Sequence, residues 1–436
     1  MCNILITTAI SYTNGGPHIG HLYESVLADF VTKSFGLFNQ VKLLTGTDEH
    51  GKKIQTTAQN TGLKPIELCN TNSQKFIELN KRLQVDYSHF IRTTDPVHKI
   101  LVSDSIVQSH MSKDIYLDNY SGYYSVREES FISELEAKET NYLDPVTSKP
   151  YEKITEESYF FCLEKYKNHI IKILESNLVF PPGKTSIGNR LETLKDLSIS
   201  RASFDWGIPF PKFESEKPHV VYVWFDALLN YVTGAKLLGD NFDQTIHIIG
   251  KDILWFHAVI YPAILKSCGY ESKYQAKNIL THGFIVDKAG HKMSKSVGNV
   301  FEPSELFDKY PVEAIRYYLI METIWGEDIK FNTDRLIELY NNQLIKDFGN
   351  LFQRLFTLAK PIESALNEYF IVNTQSIEKS YGEFLAELET LTNSYDLVKY
   401  KGLIASKCAY ANKELTDKKP WEKSVEPEIR VELIAK

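Results

Sequence analysis

The sequence has few of the residues that build disulfide frameworks or thiolate zinc sites. Only five of its 436 residues are cysteine, and no two of them form a CxxC pair. An odd number of scattered cysteines argues against both kinds of site, so no structural zinc is expected. The cysteines are instead predicted to be reduced thiols that pack as small hydrophobic side chains.

Long apolar runs are also missing, the longest being runs such as residues 220–225. Because a bilayer span needs about 18 apolar residues, no membrane helix is predicted. The N-terminus enters a strand-like segment at once, with no cationic leader, which favours a cytoplasmic protein. The composition, 43% hydrophobic and 12% aromatic, is typical of a folded chain.

Positive charge is in slight deficit. Lysine and arginine number 49 against 56 aspartate and glutamate, which gives a net charge of −7. Taken alone, this balance disfavours a nucleic-acid partner, and binding to DNA is not expected. Any nucleic acid must then be held by base stacking and a few placed cations rather than by bulk charge.

The first part of the chain has the pattern of a parallel α/β sheet. Residues 4–10 form a buried, strand-like run, residues 11–17 a turn-rich loop, and apolar residues from position 18 onward recur at helical spacing. Residues 41–45 predict a second strand followed by another helix. This alternation is typical of βαβ units and a Rossmann-like domain.

The character of the sequence then changes twice. Residues 116–217 are charged and rich in short runs, which indicates an insertion into the α/β domain. Predicted strands resume at residues 219–225, 246–249 and 278–286. Beyond Arg335 only helical periodicity remains. The resulting prediction is a catalytic domain in two halves, residues 1–115 and 218–334, with an inserted connective segment at residues 116–217 between them. A C-terminal all-α helical bundle is predicted over residues 335–436.

Two short motifs carry chemistry. His18-Ile19-Gly20-His21 follows a strand and opens a helix, where backbone N–H groups and two imidazoles can bind phosphate oxygens. Lys292 and Lys295 lie in the run HKMSKS, which suits a loop that neutralises a polyphosphate. Taken singly, the first motif could be incidental surface histidines and the second a solvated basic loop. Their order, with α/β sequence between them, favours function.

The two motifs resemble the signatures of class I aminoacyl-tRNA synthetases, and their flanks resemble the methionyl-tRNA synthetase family. The resemblance covers essentially the whole chain. The flanking motifs are YTNGGPHIGH at 12–21, GTDEHG at 46–51, WFDALLNY at 224–231, GKDI at 250–253 and KKPW at 418–421.

The resemblance implies a methionine site in which Asp48 meets the substrate ammonium. The other implied members are aliphatic and aromatic, as suits a polarizable thioether; they are Ala9, Ile10, Tyr12, Trp224, Ala227, Tyr231, Ile253 and His257. From the residues alone, Trp224, Ala227 and Tyr231 could be core packing, Asp48 an Asx-turn, and His257 a core histidine.

The resemblance also implies nucleotide and tRNA contacts. Lys251 and Asp252 follow a strand, where open α/β sheets place ligands, although an exposed ion pair is the alternative. With His18, Gly20, His21, Lys292 and Lys295 they would bind ATP, with Mg²⁺ bridging its phosphates. Asn350 and Arg354 share a helix face, and Trp421 follows Pro420 at a predicted helix start. These three would read a CAU anticodon of tRNA(Met).

The chain departs from the family in two places. Many members carry zinc knuckles in the insertion, whereas this chain has only Cys162 there. After Trp421 only 15 residues remain, where the family continues with helical sequence. The resemblance therefore predicts a zinc-free member whose helical domain is shortened at its C-terminal end.

The predicted activity is activation of L-methionine by ATP, followed by transfer to the terminal adenosine of tRNA(Met). Three alternatives stay open at this point. Another class I synthetase, such as a cysteinyl enzyme, would need thiolate zinc ligands. A non-catalytic tRNA-binding paralogue is disfavoured by intact His18, His21 and Lys295. A small nucleotidylyltransferase is disfavoured by the long helical domain.

Because the lysines of HKMSKS are expected to act on charge in the transition state, Lys295→Ala should lower ATP–pyrophosphate exchange by roughly 10²-fold. Methionine affinity, measured separately, should change little. Unchanged exchange would remove Lys295 from the proposed site.

Overall fold

A computed structural model of the chain describes residues 1–125, 130–132, 134–144, 149–176, 178–182, 187–291, 293, 302–422 and 425–435. The chain forms two compact units, the first comprising residues 1–32 and 39–284 and the second residues 33–38 and 285–436. Within the described ranges no helix is long and apolar enough to cross a membrane.

Strands and helices alternate along the first unit. Up to residue 111 the elements are β1 (Asn3–Thr8), β2 (Ser11–Tyr12), α1 (Ile19–Gly36), β3 (Gln40–Asp48), α2 (Lys52–Thr61), α3 (Pro65–Arg82), β4 (His89–Arg92) and α4 (Pro96–Met111). Next come β5 (Ile115–Ser125), β6 (Ser130–Ile132), α5 (Glu134–Glu139), β7 (Glu152–Phe161), α6 (Lys167–Glu175), β8 (Val179–Phe180), α7 (Ile187–Glu192), β9 (Leu197–Ser198), β10 (Ser200–Arg201) and β11 (Val220–Val221). The unit ends with α8 (Val223–Leu228), α9 (Asn230–Leu237), β12 (Gln244–Gly250), α10 (Tyr261–Ser267) and β13 (Ala276–His282).

A seven-stranded parallel sheet organises this unit. β1 pairs with β3 on one side and β12 on the other, β12 pairs with β13, and β13 pairs with the edge strand β8. β2 and β4 both pair with β3. β1 is buried from Ile4 to Thr8, as expected of a central strand whose two faces are both covered. The predicted parallel α/β class is confirmed.

A second, antiparallel sheet lies within the predicted insertion. Its strand order is β6-β5-β7-β9, with β5 and β7 paired along most of their length. β8 also falls within residues 116–217, yet it pairs with β13 in the parallel sheet. The domain boundaries at residues 115, 217 and 334 therefore stay predictions.

Two strand predictions are wrong in detail. Residues 219–225 do not form one strand, because β11 covers only Val220–Val221 and Val223 begins helix α8. The run 278–286 is divided after His282, with Ile285–Val286 forming a separate strand in the second unit. A short apolar run carries no periodicity that distinguishes a buried strand from a buried helix, which explains the first error.

The second unit is mainly helical, as predicted. Its elements are β14 (Ile285–Val286), α11 (Pro303–Lys309), α12 (Val312–Glu322), β15 (Ile329–Lys330), α13 (Thr333–Glu338), α14 (Asn350–Ala359), α15 (Glu363–Val372), α16 (Thr374–Asn393), α17 (Leu397–Lys418) and α18 (Pro427–Ala435). A π-helical stretch, Leu339–Gly349, joins α13 to α14. Side-chain caps begin two helices, since Asn332 accepts from the Asp334 N–H and Asp396 from the Lys399 N–H.

Lys401 links α17 to the end of α12. Its ammonium donates to the backbone carbonyls of Ile320 and Met321, each at 2.9 Å, and of Thr323 at 2.8 Å. The last carbonyls of a helix lack partners within the helix and form the negative end of its dipole. This single side chain therefore satisfies three acceptors at once.

Replacing Lys401 by methionine keeps the aliphatic stem and removes these three donors. We expect the free energy of unfolding of the second unit to fall by about 2 kcal/mol, measured by calorimetry. Lys413→Met, at an exposed position of α17, is the matched control and should change it by less than about 0.5 kcal/mol. Equal effects of the two substitutions would contradict the capping role.

Candidate active site

The candidate site lies where three parallel strands end. β1 ends at Thr8, β3 at Asp48 and β12 at Gly250, and these strands are neighbours in one sheet. The segments that follow them carry most of the residues predicted from the sequence. Because parallel strands direct their carboxyl ends to one edge, these segments share that edge of the sheet.

His18, Gly20 and His21 form a compact start to helix α1. The rings of His18 and His21 stack with centroids 3.8 Å apart. His18 lies just before the first helical residue, and its carbonyl accepts the Leu22 N–H at 3.1 Å. A Cβ on Gly20 would come within 2.9 Å of the His18 ring, so any larger residue would displace this ring from its position.

Backbone donors fix the proton on both imidazoles. The Gly20 N–H donates to Nδ1 of His18, and the His18 N–H donates to Nδ1 of His21, each at 3.1 Å. An Nδ1 that accepts carries no proton, so the neutral ring holds its proton at Nε2. Both histidines are therefore prepared as Nε2–H donors at a helix N-terminus, which suits phosphate oxygens.

Lys251 and Asp252 follow β12 in a short 3₁₀ turn, as predicted. Both are exposed, and the Lys251 ammonium lies 5.0 Å from the centroid of the Phe284 ring. A Cβ on Gly250 would lie 2.8 Å from Oδ1 of Asp252. The glycine thus allows the Asp252 carboxylate to turn back over the end of the strand.

A buried acid–imidazole pair lies beside these residues and was not predicted. Nε2 of His282, at the end of β13, lies 3.0 Å from the Glu24 carboxylate on α1, while Nδ1 donates to the Gly283 carbonyl at 2.8 Å. Burial alone would lower the pKa of His282, but the hydrogen bond and charge of Glu24 raise it. Glu24 also accepts a hydrogen bond from the backbone of Ala9.

Trp224, Tyr231, Ile253 and His257 come together as the resemblance implies. Trp224 is half-buried on α8 and stacks on Phe256 with ring centroids 3.7 Å apart. The same indole meets the edge of the His257 ring at 6.3 Å. Both tryptophan and histidine thus line one aromatic wall.

Hydrogen bonds hold His257 in one neutral tautomer. Nδ1 donates to the Ile253 carbonyl at 3.0 Å, and Nε2 lies 2.7 Å from the Tyr231 hydroxyl. Burial lowers the pKa of His257 to about 4, so the ring is neutral and its Nε2 accepts from tyrosine. Burial likewise raises the pKa of Tyr231, which keeps its hydroxyl protonated.

The remaining residues that are predicted to bind methionine lie at or near the same sheet edge. Ala9, Ile10 and Tyr12 are partly buried against the hydrophobic core of the unit. Tyr12 pairs with Asp48 in the β2–β3 ladder, and Asp48 is only 9% exposed. Ala227, 5% exposed, lies on α8 three residues after Trp224.

The loop that follows Asp48 is anchored by a charged network that sequence reasoning missed. Arg92 donates to both carboxylate oxygens of Glu49, at 2.7 and 2.9 Å, and Ser73 and Thr94 donate to the same group. Burial alone would raise the pKa of Glu49, but these hydrogen bonds lower it. Glu49 stands in the quoted GTDEHG motif, yet nothing in the sequence identified Arg92 as its partner.

In the second unit the structure brings Arg354 and Trp421 together, with the guanidinium carbon 5.1 Å from the indole centroid. Asn350 begins α14 one turn before Arg354 and is exposed. The prediction that Trp421 stands at a helix start is wrong. α17 ends at Lys418, where Lys419 adopts a left-handed conformation, and Trp421 lies in the turn that follows.

Lys292 and Lys295 lie outside the described residues. The described ranges contain no group of three or more His, Cys, Asp or Glu side chains that could hold a metal. All five cysteines are free thiols. Whether the chain uses magnesium, and whether it lacks zinc, stay predictions.

Comparison with known proteins agrees with these motifs. The family described as tRNA synthetases class I (M) matches residues 4–143 and 140–356. A methionine--tRNA ligase of Ureaplasma parvum is 35% identical over 96% of this chain and 83% of its own length. One of Rhizobium meliloti is 40% identical over 81% of this chain and 70% of its own length.

Solved structures show the same likeness. A Mycobacterium tuberculosis methionyl-tRNA synthetase in complex with methionyl-adenylate superposes with a TM-score of 0.86 at 32% identity, covering 100% of this chain and 88% of that one. Its free form gives a TM-score of 0.78. A match of this extent, with the motifs in place, shows that the chain belongs to the methionyl-tRNA synthetase family of class I aminoacyl-tRNA synthetases.

Proposed function

We propose that this chain activates L-methionine with ATP and transfers it to tRNA(Met) at the edge of the parallel sheet. The observation that carries the proposal is the convergence of β1, β3 and β12 on one edge, where Asp48 ends β3 and the segments after β1 and β12 bear Ala9 and Asp252. Ligands of open α/β sheets bind at such an edge. The adenylate bound to the mycobacterial relative is the intermediate of this reaction.

Methionine would be recognised at both of its ends. The Asp48 carboxylate meets the ammonium, and Trp224, Tyr231 and His257 surround the thioether. The polar atoms of His257 and Tyr231 already bond to each other and to the Ile253 carbonyl. A side chain with strong hydrogen-bonding groups would find few partners there, whereas a polarizable thioether needs none.

ATP would lie between helix α1 and the turn after β12. The Nε2–H groups of His18 and His21 would donate to phosphate oxygens, supported by the N-terminal end of α1. Lys251 and Asp252 would contact the nucleoside part. We assign Lys292 and Lys295 to the polyphosphate on the resemblance alone.

The chemistry asks little covalent work of the protein. A methionine carboxylate oxygen attacks the α-phosphorus of ATP, and the bond to the bridging oxygen breaks with release of pyrophosphate. The 2′-hydroxyl of the terminal adenosine of tRNA then attacks the mixed anhydride, loses its proton and releases AMP. Positioning of the reactants and donors to the phosphate oxygens supply most of the rate.

Mg²⁺ would be held mainly by ATP itself. The described residues offer no cluster of three or more ligands for a metal, and magnesium usually keeps several waters and binds through substrate phosphates. No step proposed here depends on the ion.

The second unit would read the CAU anticodon. Arg354 over the Trp421 ring presents a guanidinium and an exposed indole side by side, 49% of the tryptophan surface being accessible. Unstacked loop bases are commonly bound by such planar groups.

A cytoplasmic location, where thiols stay reduced, is consistent with the free cysteines.

Asp48→Asn keeps the shape of the side chain and removes its charge. The KM for methionine in ATP–pyrophosphate exchange should rise roughly 10- to 100-fold, because a charged partner of the ammonium is lost, while the KM for ATP stays within about twofold. Asp118→Asn, at an exposed position of β5, is the control. A rise in both KM values would argue against contact with methionine.

Trp421→Ala removes a side chain proposed to touch only the anticodon. Aminoacylation should fall by roughly 10-fold or more, as expected for the loss of one base-stacking contact, while methionine-dependent exchange is kept. Tyr381→Ala, at another exposed aromatic residue of the second unit, should leave both rates unchanged. Equal loss of both rates in the Trp421 variant would point to misfolding instead.

A further inference from the structure

A chain of buried polar side chains connects two parts of the methionine site. Nδ1 of His50 lies 2.6 Å from Oδ2 of Asp226, and Nε2 of His98 lies 2.8 Å from Oδ1 of the same carboxylate. Nδ1 of His98 in turn lies 2.8 Å from the Thr233 hydroxyl. These four residues come from the loop after β3 and from α8, α4 and α9.

The carboxylate at the centre is fully enclosed. Asp226 and His98 are each 0% exposed, and His50 is 2% exposed. Burial alone would raise the pKa of Asp226, but the two imidazoles lower it, so the carboxylate stays ionised. A buried anion without both donors would be costly, which fixes the positions of His50 and His98 relative to α8.

The order Asp226, His98, Thr233 resembles a hydrolytic triad, but it cannot act as one. Thr233 is 1% exposed, and its hydroxyl also lies 3.2 Å from the Leu229 carbonyl as a donor. A nucleophile must reach its substrate, and this hydroxyl is enclosed by the core. This series of hydrogen-bonded side chains therefore has a structural or positioning role.

The placement of the partners favours positioning. His50 is two residues after Asp48, which would bind the substrate ammonium. Asp226 stands on α8 between Trp224 and Ala227, which would bind the thioether end. The bond between His50 and Asp226 thus joins the two segments that meet opposite ends of one amino acid. Resting on the proposed function, we infer that His50, Asp226 and His98 are positioning residues that set the separation of the ammonium site and the side-chain site for methionine.

The loop has other anchors, so the bond can be changed without unfolding it. The Trp206 indole N–H donates to the Glu49 carbonyl at 2.6 Å, and the Gly51 N–H donates to the Trp206 carbonyl at 3.0 Å. Glu49 is held by Arg92 as well. Loss of the His50 donor should therefore shift the loop rather than release it.

The test compares two amides at position 50. Asparagine places its N–H₂ near the position of the histidine Nδ1 and can still donate to Asp226, whereas glutamine places it near Nε2, beyond that carboxylate. His219→Gln makes the same change at a second buried histidine of the first unit, which bonds to Ser200 and Ser215 in the region of the insertion. Each full-length variant is assayed by methionine-dependent pyrophosphate exchange, and methionine binding without ATP is measured by calorimetry.

We expect His50→Gln to raise the KM and the dissociation constant for methionine about tenfold, with the KM for ATP changed less than about twofold. His50→Asn should stay within about threefold of the parent, and His219→Gln should alter neither constant. Equal constants for the two amides at position 50, or a parallel rise in the KM for ATP, would overturn the inference. If the parent chain itself shows no methionine-dependent exchange, the proposed function fails instead.

Discussion

The shared direction of the strands in the parallel sheet is the constraint on which the site depends. β1, β3 and β12 are hydrogen-bonded neighbours, so their carboxyl ends stand at one edge although they lie far apart in the chain. The loops that follow them can carry polar residues without breaking the core, because most residues of the strands beneath are buried. Ala9, Asp48 and Asp252 are brought to one edge by this geometry alone.

Within that frame, backbone and side-chain hydrogen bonds decide what each histidine can do. His18 and His21 both accept at Nδ1 and are left as Nε2–H donors, which suits phosphate. His257 has the opposite tautomer, with Nδ1 donating to a carbonyl and Nε2 accepting from Tyr231. Histidine thus serves two ends of one site: an end that binds anions, and an apolar end at which the imidazole ring is uncharged.

Much of this could be predicted from the sequence, because helix and strand periodicity and the spacing of the motifs are local properties. The parallel α/β class, the helix after His18 and the shared face of Asn350 and Arg354 were predicted in this way and are observed. The single strand predicted over residues 219–225 is not observed, since a short apolar run fits a buried strand or a buried helix equally well. The Pro420-Trp421 pair predicts a helix start, because proline favours the first helical position, whereas the chain forms a turn there.

Pairs of side chains that are far apart in the sequence could not be predicted, for a different reason. His50 and Asp226 both stand in quoted motifs, but they are 176 residues apart, and only the fold brings their side chains within 2.6 Å. His98 lies on a helix with no motif of its own. The ion pair of Arg92 with Glu49 and the hydrogen-bonded pair of His282 with Glu24 are similar cases. Such contacts depend on how elements pack, which one sequence does not encode in any local pattern.

The central claim is that this edge of the sheet selects methionine and activates it with ATP. The most direct test is ATP–pyrophosphate exchange by the unmodified chain with each of the twenty standard amino acids in turn. The account predicts exchange that depends on L-methionine, with polar and charged amino acids inactive at equal concentration. Exchange supported equally well by an amino acid without a thioether, or none with methionine, would contradict it.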